Sequence, residues 1–374
     1  MNERPKILRE DNTAGETVLA EVEEVIQLAV TIKDVAKKAN VAASTVSRVI
    51  ANSNRISHAT KIRVREAMEE LGYHPNFHAR SLANKSTKTI GIIMPSSAKV
   101  AFQNPFFPEV IRGISTKAYQ KGYGLYLSTG QTEEERFEEV VQMVEEQRVD
   151  GIVLLYSRKN GLIMPYLMKK NFPFVLIGRP YDLPDEEVTH VNNDNFKAAK
   201  MVTEYLSLLG HRQIAFIGGN MEYVVTIDHM KGYKKALEQA GIEVNDSYIV
   251  YHDELEEGGQ EAVIELMSLQ ERPTALVVAD DLMAFGVLRM LSDMGVNVPD
   301  ELSIISFNNV MISELSSPPM TTVDIHIFDL GSTAVECLFD KMLDKHIQPK
   351  SVIIPHRLIK RQSCKKCNDK TLHS

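Results

Sequence analysis

From residue 89 onward the chain alternates short apolar runs with stretches of helical pattern, and this alternation limits its possible folds more than any other feature. The runs are TIGIIMP, YGLYLSTG, VDGIVLLY, PFVLIGR, THVNNDN, QIAFIGG, YIVYHDE, PTALVVADD and LSIISFNN, most of them separated by 10 to 20 residues. Each has strand length, and the segments between them are long enough for a crossover helix. Such units predict an α/β class of doubly wound parallel sheets with helices on both faces. The strands are apolar throughout, as burial on both sides requires. In these sheets ligands bind beyond the carboxyl ends of the strands, and here those ends carry polar or aromatic residues, as in VLLY, VLIGR, VADD and SFNN.

Residues 31 to 73 obey a different pattern. TIKDVAKK opens with Thr31 as a helix cap and Asp34 in the first turn, and Val35, Ala36 and Ala39 form a small apolar face. Asn40 and Val41 break the period. Val46, Val49 and Ile50 resume it on a second short helix whose other face carries Ser44, Thr45, Ser47 and Arg48. A third helix, capped by Ser57, runs through Ile62, Val64, Ala67, Met68 and Leu71 to Gly72. Small residues at the contacts let the first two helices cross closely, and short polar side chains on the second suit a DNA major groove.

Charge divides the chain along the same lines. The net charge of -8 conceals a segment, residues 31 to 88, with 11 basic against 4 acidic residues, while residues 1 to 30 carry 3 against 7 and the rest 28 against 39. A basic module tethered to an acidic body points to a polyanionic partner, and nucleic acid is favoured over a membrane surface because the cations do not line a long amphipathic helix. No uncharged apolar run approaches the ~18 residues of a membrane span. The first thirty residues lack a basic leader and interrupt their apolar stretch with Glu21, Glu23 and Glu24, so no secretory signal is expected. Three cysteines, Cys337, Cys364 and Cys367, cannot pair completely, and the expected compartment is the cytoplasm. A length of 374 residues with 44% hydrophobic and 25% charged content allows two or three ordinary domains.

The segment from Thr45 to Val49, TVSRV, followed by LGYHPN from Leu71 to Asn76, resembles the headpiece of the lactose-repressor (LacI) family in order and spacing. The resemblance implies that Ala43, Ser44 and Arg48 face bases, while Thr31, Thr45, Ser47 and Asn52 lie near phosphates or at the helix contact. Two positions depart from it: Ala42 stands where Ser commonly caps the second helix, and Ala51 where Asn is usual. Asn76 to Asn84, NFHARSLAN, matches the family's hinge segment, in which Leu82 wedges into a minor-groove step with Arg80 and Lys85 on phosphates.

The body resembles the two-lobed sugar-binding fold of the same family over residues 89 to 364, with crossings expected near His190, Thr321 and Lys350. The first lobe is expected at about 89–190 and 322–350, the second at about 191–321 and 351–364, and a tail at 365–374. The implied effector positions in the cleft are Phe106, Phe107, Arg179, His229, Asp280 and Asn308, flanked by Phe102, Asn104 and Asp228. His229 replaces a usual Arg and Asn308 a usual Asp. Asp280 offers two acceptors for hydroxyl groups and the aromatic residues a face for a sugar ring. Asp281 is the expected helix cap of the pair. Stretches such as IGRP, VADDLMAFGVL and SFNNVM resemble the maltose-operon regulators of Gram-positive bacteria more than lactose or purine repressors.

No phosphate loop, HExxH helix or nucleophile with its base is present, so no enzymatic activity, metal or cofactor is expected. Cys364 and Cys367 form an isolated CxxC in a lysine-rich stretch expected to be a tail. The implied partners are double-stranded operator DNA, a small saccharide such as maltose or a related α-glucoside, and a second copy of the chain. The alternatives are a catabolite regulator with a phosphoprotein corepressor, a solute-binding receptor of the same fold, and a sugar-acting enzyme.

Overall fold

The structure, a computed structural model, describes residues 30–73, 86–95, 98–184, 186–253, 255–344 and 346–367. It divides into two compact units, one before Lys88 and one from Lys88 onward. The first contains α1 (Ile32–Lys38), α2 (Ala43–Ile50) and α3 (His58–Glu70). Their apolar faces meet in a core of Val35, Ala36, Ala39, Val46, Val49, Val64 and Ala67. Asn40 takes a left-handed conformation (φ 52°) in the turn between α1 and α2, which suits its short polar side chain.

The second unit has two six-stranded sheets. In the first lobe β1 (Thr89–Ile93) pairs with β2 (Gly124–Leu127) and β3 (Gly151–Leu154). β4 (Phe174–Ile177) and β5 (His190–Asn192) extend that sheet to β11 (Ser351–Ile353). In the second lobe β6 (Ile214–Gly218) lies between β7 (Ile249–Tyr251) and β8 (Ala275–Val278). β9 (Ser303–Phe307), β10 (Thr321–Asp324) and β12 (Arg357–Ile359) complete this sheet. All pairings are parallel except β10 with β12. Successive strand residues face opposite ways, so Ile92 and Val153 join a core shared with Phe216 and Ile305, whereas Ile93, Ile152 and Leu176 join one confined to the first lobe.

Helices α4 (Ala98–Gln103), α5 (Phe106–Gln120), α6 (Glu133–Glu145), α7 (Ile163–Lys169) and α13 (Ile327–Leu343) belong to the first lobe. Helices α8 (Asn195–Leu208), α9 (Val224–Gln239), α10 (Glu256–Met267), α11 (Asp281–Asp293) and α12 (Met311–Leu315) belong to the second. α5 and α13 pack backbone to backbone: a Cβ on Gly113 would strike the Phe328 carbonyl, and one on Gly331 that of Val110. Among the described residues, no helix is long and apolar enough to cross a membrane.

The chain passes between lobes after β5, after β10 and after β11, in each case a few residues beyond His190, Thr321 and Lys350. Thr321–Asp324 therefore belongs to the second lobe and Ser351–Ile353 to the first. Strands of three or four residues carry no mark of which sheet will accept them; edge pairing decides it. The expected tail is also shorter. Lys365 N donates to Ser303 Oγ (3.2 Å) and Cys367 N to the Leu209 carbonyl (2.8 Å), so the chain through Cys367 is packed on the second lobe. Cys364 lies beneath it, its thiol donating to the Ile304 carbonyl (3.0 Å), and burial pushes that thiol up to about 11.

Candidate nucleic-acid interface and ligand cleft

In the first unit, Thr31 N and Oγ1 both donate to the Asp34 carboxylate (2.8 and 2.7 Å), fixing the start of α1. These bonds hold the Asp34 carboxyl below its ordinary range. Ala42 gives α2 no side-chain cap, and Thr45 N and Val46 N both donate to the Ala42 carbonyl (2.8 and 3.2 Å). Ser44, Ser47 and Arg48 are exposed on α2, while Ala43 and Thr45 are half-buried beside the core. Asn52, with φ 51°, accepts from Lys61 Nζ and Arg65 Nη2 (both 3.3 Å) and so gathers two cations of α3 beside α2. Asn76, Arg80, Leu82 and Lys85 lie outside the described residues.

In the second unit, a cavity of about 470 Å³ opens between the lobes at the carboxyl ends of the strands. Asn104, Phe106, Phe107, Arg179, Asp228, His229, Asp280 and Asn308 all line it. Phe102 does not; on α4 it is 46% exposed. Asn104 is buried, its Oδ1 accepting from Phe106 N (2.9 Å) at the start of α5 and its Nδ2 reaching across to Asp280 (3.3 Å). Phe106 and Phe107 meet edge to face, centroids 5.1 Å apart.

Asp280, and not Asp281, caps α11. Its extended backbone (φ -151°, ψ 146°) sets Oδ1 over the Leu282 and Met283 N–H groups (2.7 and 3.4 Å). Its Oδ2 accepts from Asn308 (2.8 Å) and Asn104. Burial raises this carboxyl above its ordinary value, opposed by the four hydrogen bonds. Asp281 begins the helix and turns inward, accepting from Ser306 (2.5 Å), Thr322 (2.7 Å) and Val310 N (2.8 Å); burial pushes it to about 7. An Asp–Asp pair in sequence does not show which carboxylate precedes the first helical turn.

Arg179 follows β4 and crosses the cleft to form a two-pronged pair with Asp228 of α9 (Nε 2.7 Å, Nη2 2.5 Å). His229 stacks on Phe307, centroids 4.2 Å apart. It is buried, its Nδ1 has no hydrogen-bond partner among the described residues, and burial lowers it to about 3, so the ring is neutral.

Several lining residues were missed in the sequence although their strand ends were flagged. They include Tyr156 after β3, Asn193 after β5, Asp253 after β7, Phe307 at the end of β9, and Tyr223 ahead of α9. Tyr156 donates to buried Glu133 (2.8 Å), which also pairs with Arg136 (3.2 Å). Asn193 Nδ2 donates to the Ile325 and Ile354 carbonyls (2.9 and 3.0 Å), so one amide ties the three interlobe crossings together. The lobes meet again where Val224 N donates to the Ser157 carbonyl (3.0 Å) and Lys159 N to that of Glu222 (2.8 Å), a main-chain clasp. Among the described residues, no cluster of ligating side chains suits a metal.

Residues 31–76 match the model of bacterial regulatory proteins of the lacI family, and residues 203–364 that of a periplasmic binding protein-like domain. The HTH-type transcriptional regulator MalR of Streptococcus pneumoniae is 37% identical over 340 residues, covering 89% of this chain and 99% of that protein. A solved structure of a putative transcriptional regulator LacI from Bacillus cereus subsp. cytotoxis is 53% identical over 75% of this chain and 99% of its own, with a TM-score of 0.74. That of a transcriptional regulator CelR–cellobiose complex is 30% identical, covering 89% and 99%, with a TM-score of 0.71.

Proposed function

We infer, from the premise that this chain belongs to the lacI family of bacterial transcriptional regulators, that it is a cytoplasmic repressor of sugar-utilisation genes released from its operator by maltose or a related α-glucoside. The observation that carries the sugar reading is the cleft itself. About 470 Å³ is room for a disaccharide, aromatic rings of Tyr156, Phe106, Phe107 and Tyr223 supply faces for the apolar side of sugar rings, and Asp280 with Asn104 and Asn308 supplies acceptors and donors for hydroxyls. The similarity to the MalR regulator supports maltose among the α-glucosides.

On the DNA side, Ala43, Ser44 and Arg48 of α2 face bases in the major groove, with Thr31, Thr45, Ser47 and Asn52 near phosphates or at the helix contact and the start of α2 and the cations held by Asn52 at phosphates. Two copies of the chain act on a palindrome, since a two-fold protein calls for a two-fold site. Binding of the sugar favours a lobe arrangement that no longer supports the hinge segment on DNA, so operator affinity drops by population shift. A gel shift on the promoter beside the chain's own gene tests this: maltose should release a complex specific for the palindrome. A complex insensitive to every saccharide in a panel, or no preference for a palindrome over random duplex at moderate salt, overturns the reading.

A further inference from the structure

Asn193 follows β5 at the first crossing between the lobes. Its Nδ2 donates to the carbonyls of Ile325 at the second crossing (2.9 Å) and Ile354 at the third (3.0 Å). Two carbonyls beside one end of an amide admit only its NH2 group, because an oxygen in that place would face two other oxygens. The amide therefore cannot turn over. Its Oδ1 is held on the side away from the crossings, where it can accept a hydrogen bond but never donate one.

Asn193 is 3% exposed and lines the cavity, and its Oδ1 accepts no hydrogen bond from a described residue. Among the described residues, the buried side-chain atoms with neither a hydrogen-bond partner nor contact with solvent are Glu133 Oε1, Arg136 Nε and His229 Nδ1. Asn193 Oδ1 is not one of them, so the small exposure that this residue keeps reaches its oxygen, through the cavity. Asp280 is differently placed. Its Oδ1 accepts from Leu282 N and Met283 N, and its Oδ2 from Asn104 and Asn308. A hydroxyl can bond to Asp280 only by sharing an oxygen that already takes two hydrogen bonds, whereas Asn193 Oδ1 takes none.

We propose that Asn193 is a specificity-determining residue of the cleft, whose Oδ1 accepts a hydrogen bond from one hydroxyl of the effector and which rejects ligands carrying no donor at that point. This deepens, and rests on, the saccharide reading above. A ligand that fills the cavity takes Oδ1 out of water, and a hydrogen, a fluorine or an ether oxygen placed against it leaves the oxygen unpaired. A hydroxyl pairs with it. Because the two crossings already hold the amide in place, that pairing orders no further side chain.

Calorimetric titration of the full chain with maltose, and with maltoses in which one hydroxyl at a time is replaced by hydrogen or by fluorine, decides the matter. For the hydroxyl that meets Asn193, both replacements should weaken binding to the wild-type chain about fivefold, as the loss of one buried hydrogen bond does. Asn193→Leu should bind maltose about fivefold more weakly, and its preference for that one hydroxyl over hydrogen or fluorine should vanish while the other positions keep theirs. A residue that served only to hold the crossings would weaken all these sugars alike. Asn193→Ser, too short to present an oxygen at the same point, should give the same pattern and takes the place of the leucine variant if that chain does not fold. Ratios among the sugars that are unchanged in these variants, or a wild-type chain that tolerates the loss of each hydroxyl singly, overturn the inference and leave the saccharide reading standing. If the wild-type chain binds no saccharide of a neutral and phosphorylated panel but binds a purine, the saccharide reading fails and this inference with it.

Discussion

The headpiece and the two-lobed body solve opposite placement problems. In the headpiece the core is seven small apolar residues, and of the side chains assigned to DNA, Ser44, Ser47 and Arg48 stand on the exposed face of α2, with Asn52 beside it. In the body the ligand-facing groups are largely buried, and they are held by one another: Asn104 and Asn308 on Asp280, Arg179 on Asp228, His229 on Phe307. A surface reader needs only the correct face of a correct helix. A buried cleft needs every polar atom to find a partner, so its parts are interdependent.

If the two regions are independent in this sense, damage to one should spare the other. The largest effect is expected from Val64→Asp, which buries an unpaired carboxylate in a core too small to absorb it. Operator affinity should fall at least about a hundredfold while calorimetric sugar binding is unchanged; a parallel loss of sugar binding would break the contrast. The body's interdependence is probed at Asp281. Its carboxyl sits near 7 when folded against an ordinary 3.8. The unfolded chain therefore gives up the proton first, and this group's contribution to stability falls as pH rises from about 4 to about 7, then levels off. Asp281→Asn should remove that slope from the body's denaturation midpoint, and a difference curve without a slope in this window would contradict the burial argument.

A smaller effect is expected at the clasp. Val224 is the first residue of α9 and Tyr223 before it is extended (φ -88°, ψ 133°), so the backbone accepts Val224→Pro, which removes the N–H donated to Ser157 and keeps a small apolar side chain at the cavity wall. Loss of one interlobe hydrogen bond, about 1 kcal/mol, should weaken sugar binding about fivefold with operator affinity in the absence of sugar unchanged. The smallest is Ala42→Ser, which gives α2 the cap it lacks. It should raise headpiece stability by about 1 kcal/mol in thermal denaturation, with no change in the body's transition.

Much of the headpiece was legible because its signals are local: the Thr31–Asp34 cap, the Ser57 cap and the left-handed Gly72 depend on residues three or four apart. In the body, the alternation located the strands and the strand ends marked the region of the site, while the resemblance to the lacI family singled out Asp280 and Arg179 within it. Tyr156, Tyr223 and Asp253 were not singled out, because an aromatic or acidic residue at a strand end carries no sign of which of them will face its counterpart from the other lobe.

Periodicity, caps and charge distribution in the amino-acid order alone determined a basic three-helix module and a parallel α/β body with its site at the strand ends, because those properties arise between near neighbours. Which sheet takes β10 and β11, which aspartate caps α11, and the pairing of Arg179 with Asp228 were decided by the tertiary structure. Each depends on groups tens of residues apart (Arg179 and Asp228 are separated by 49 positions) that acquire a common environment, and a common desolvation cost, only when the lobes are packed together.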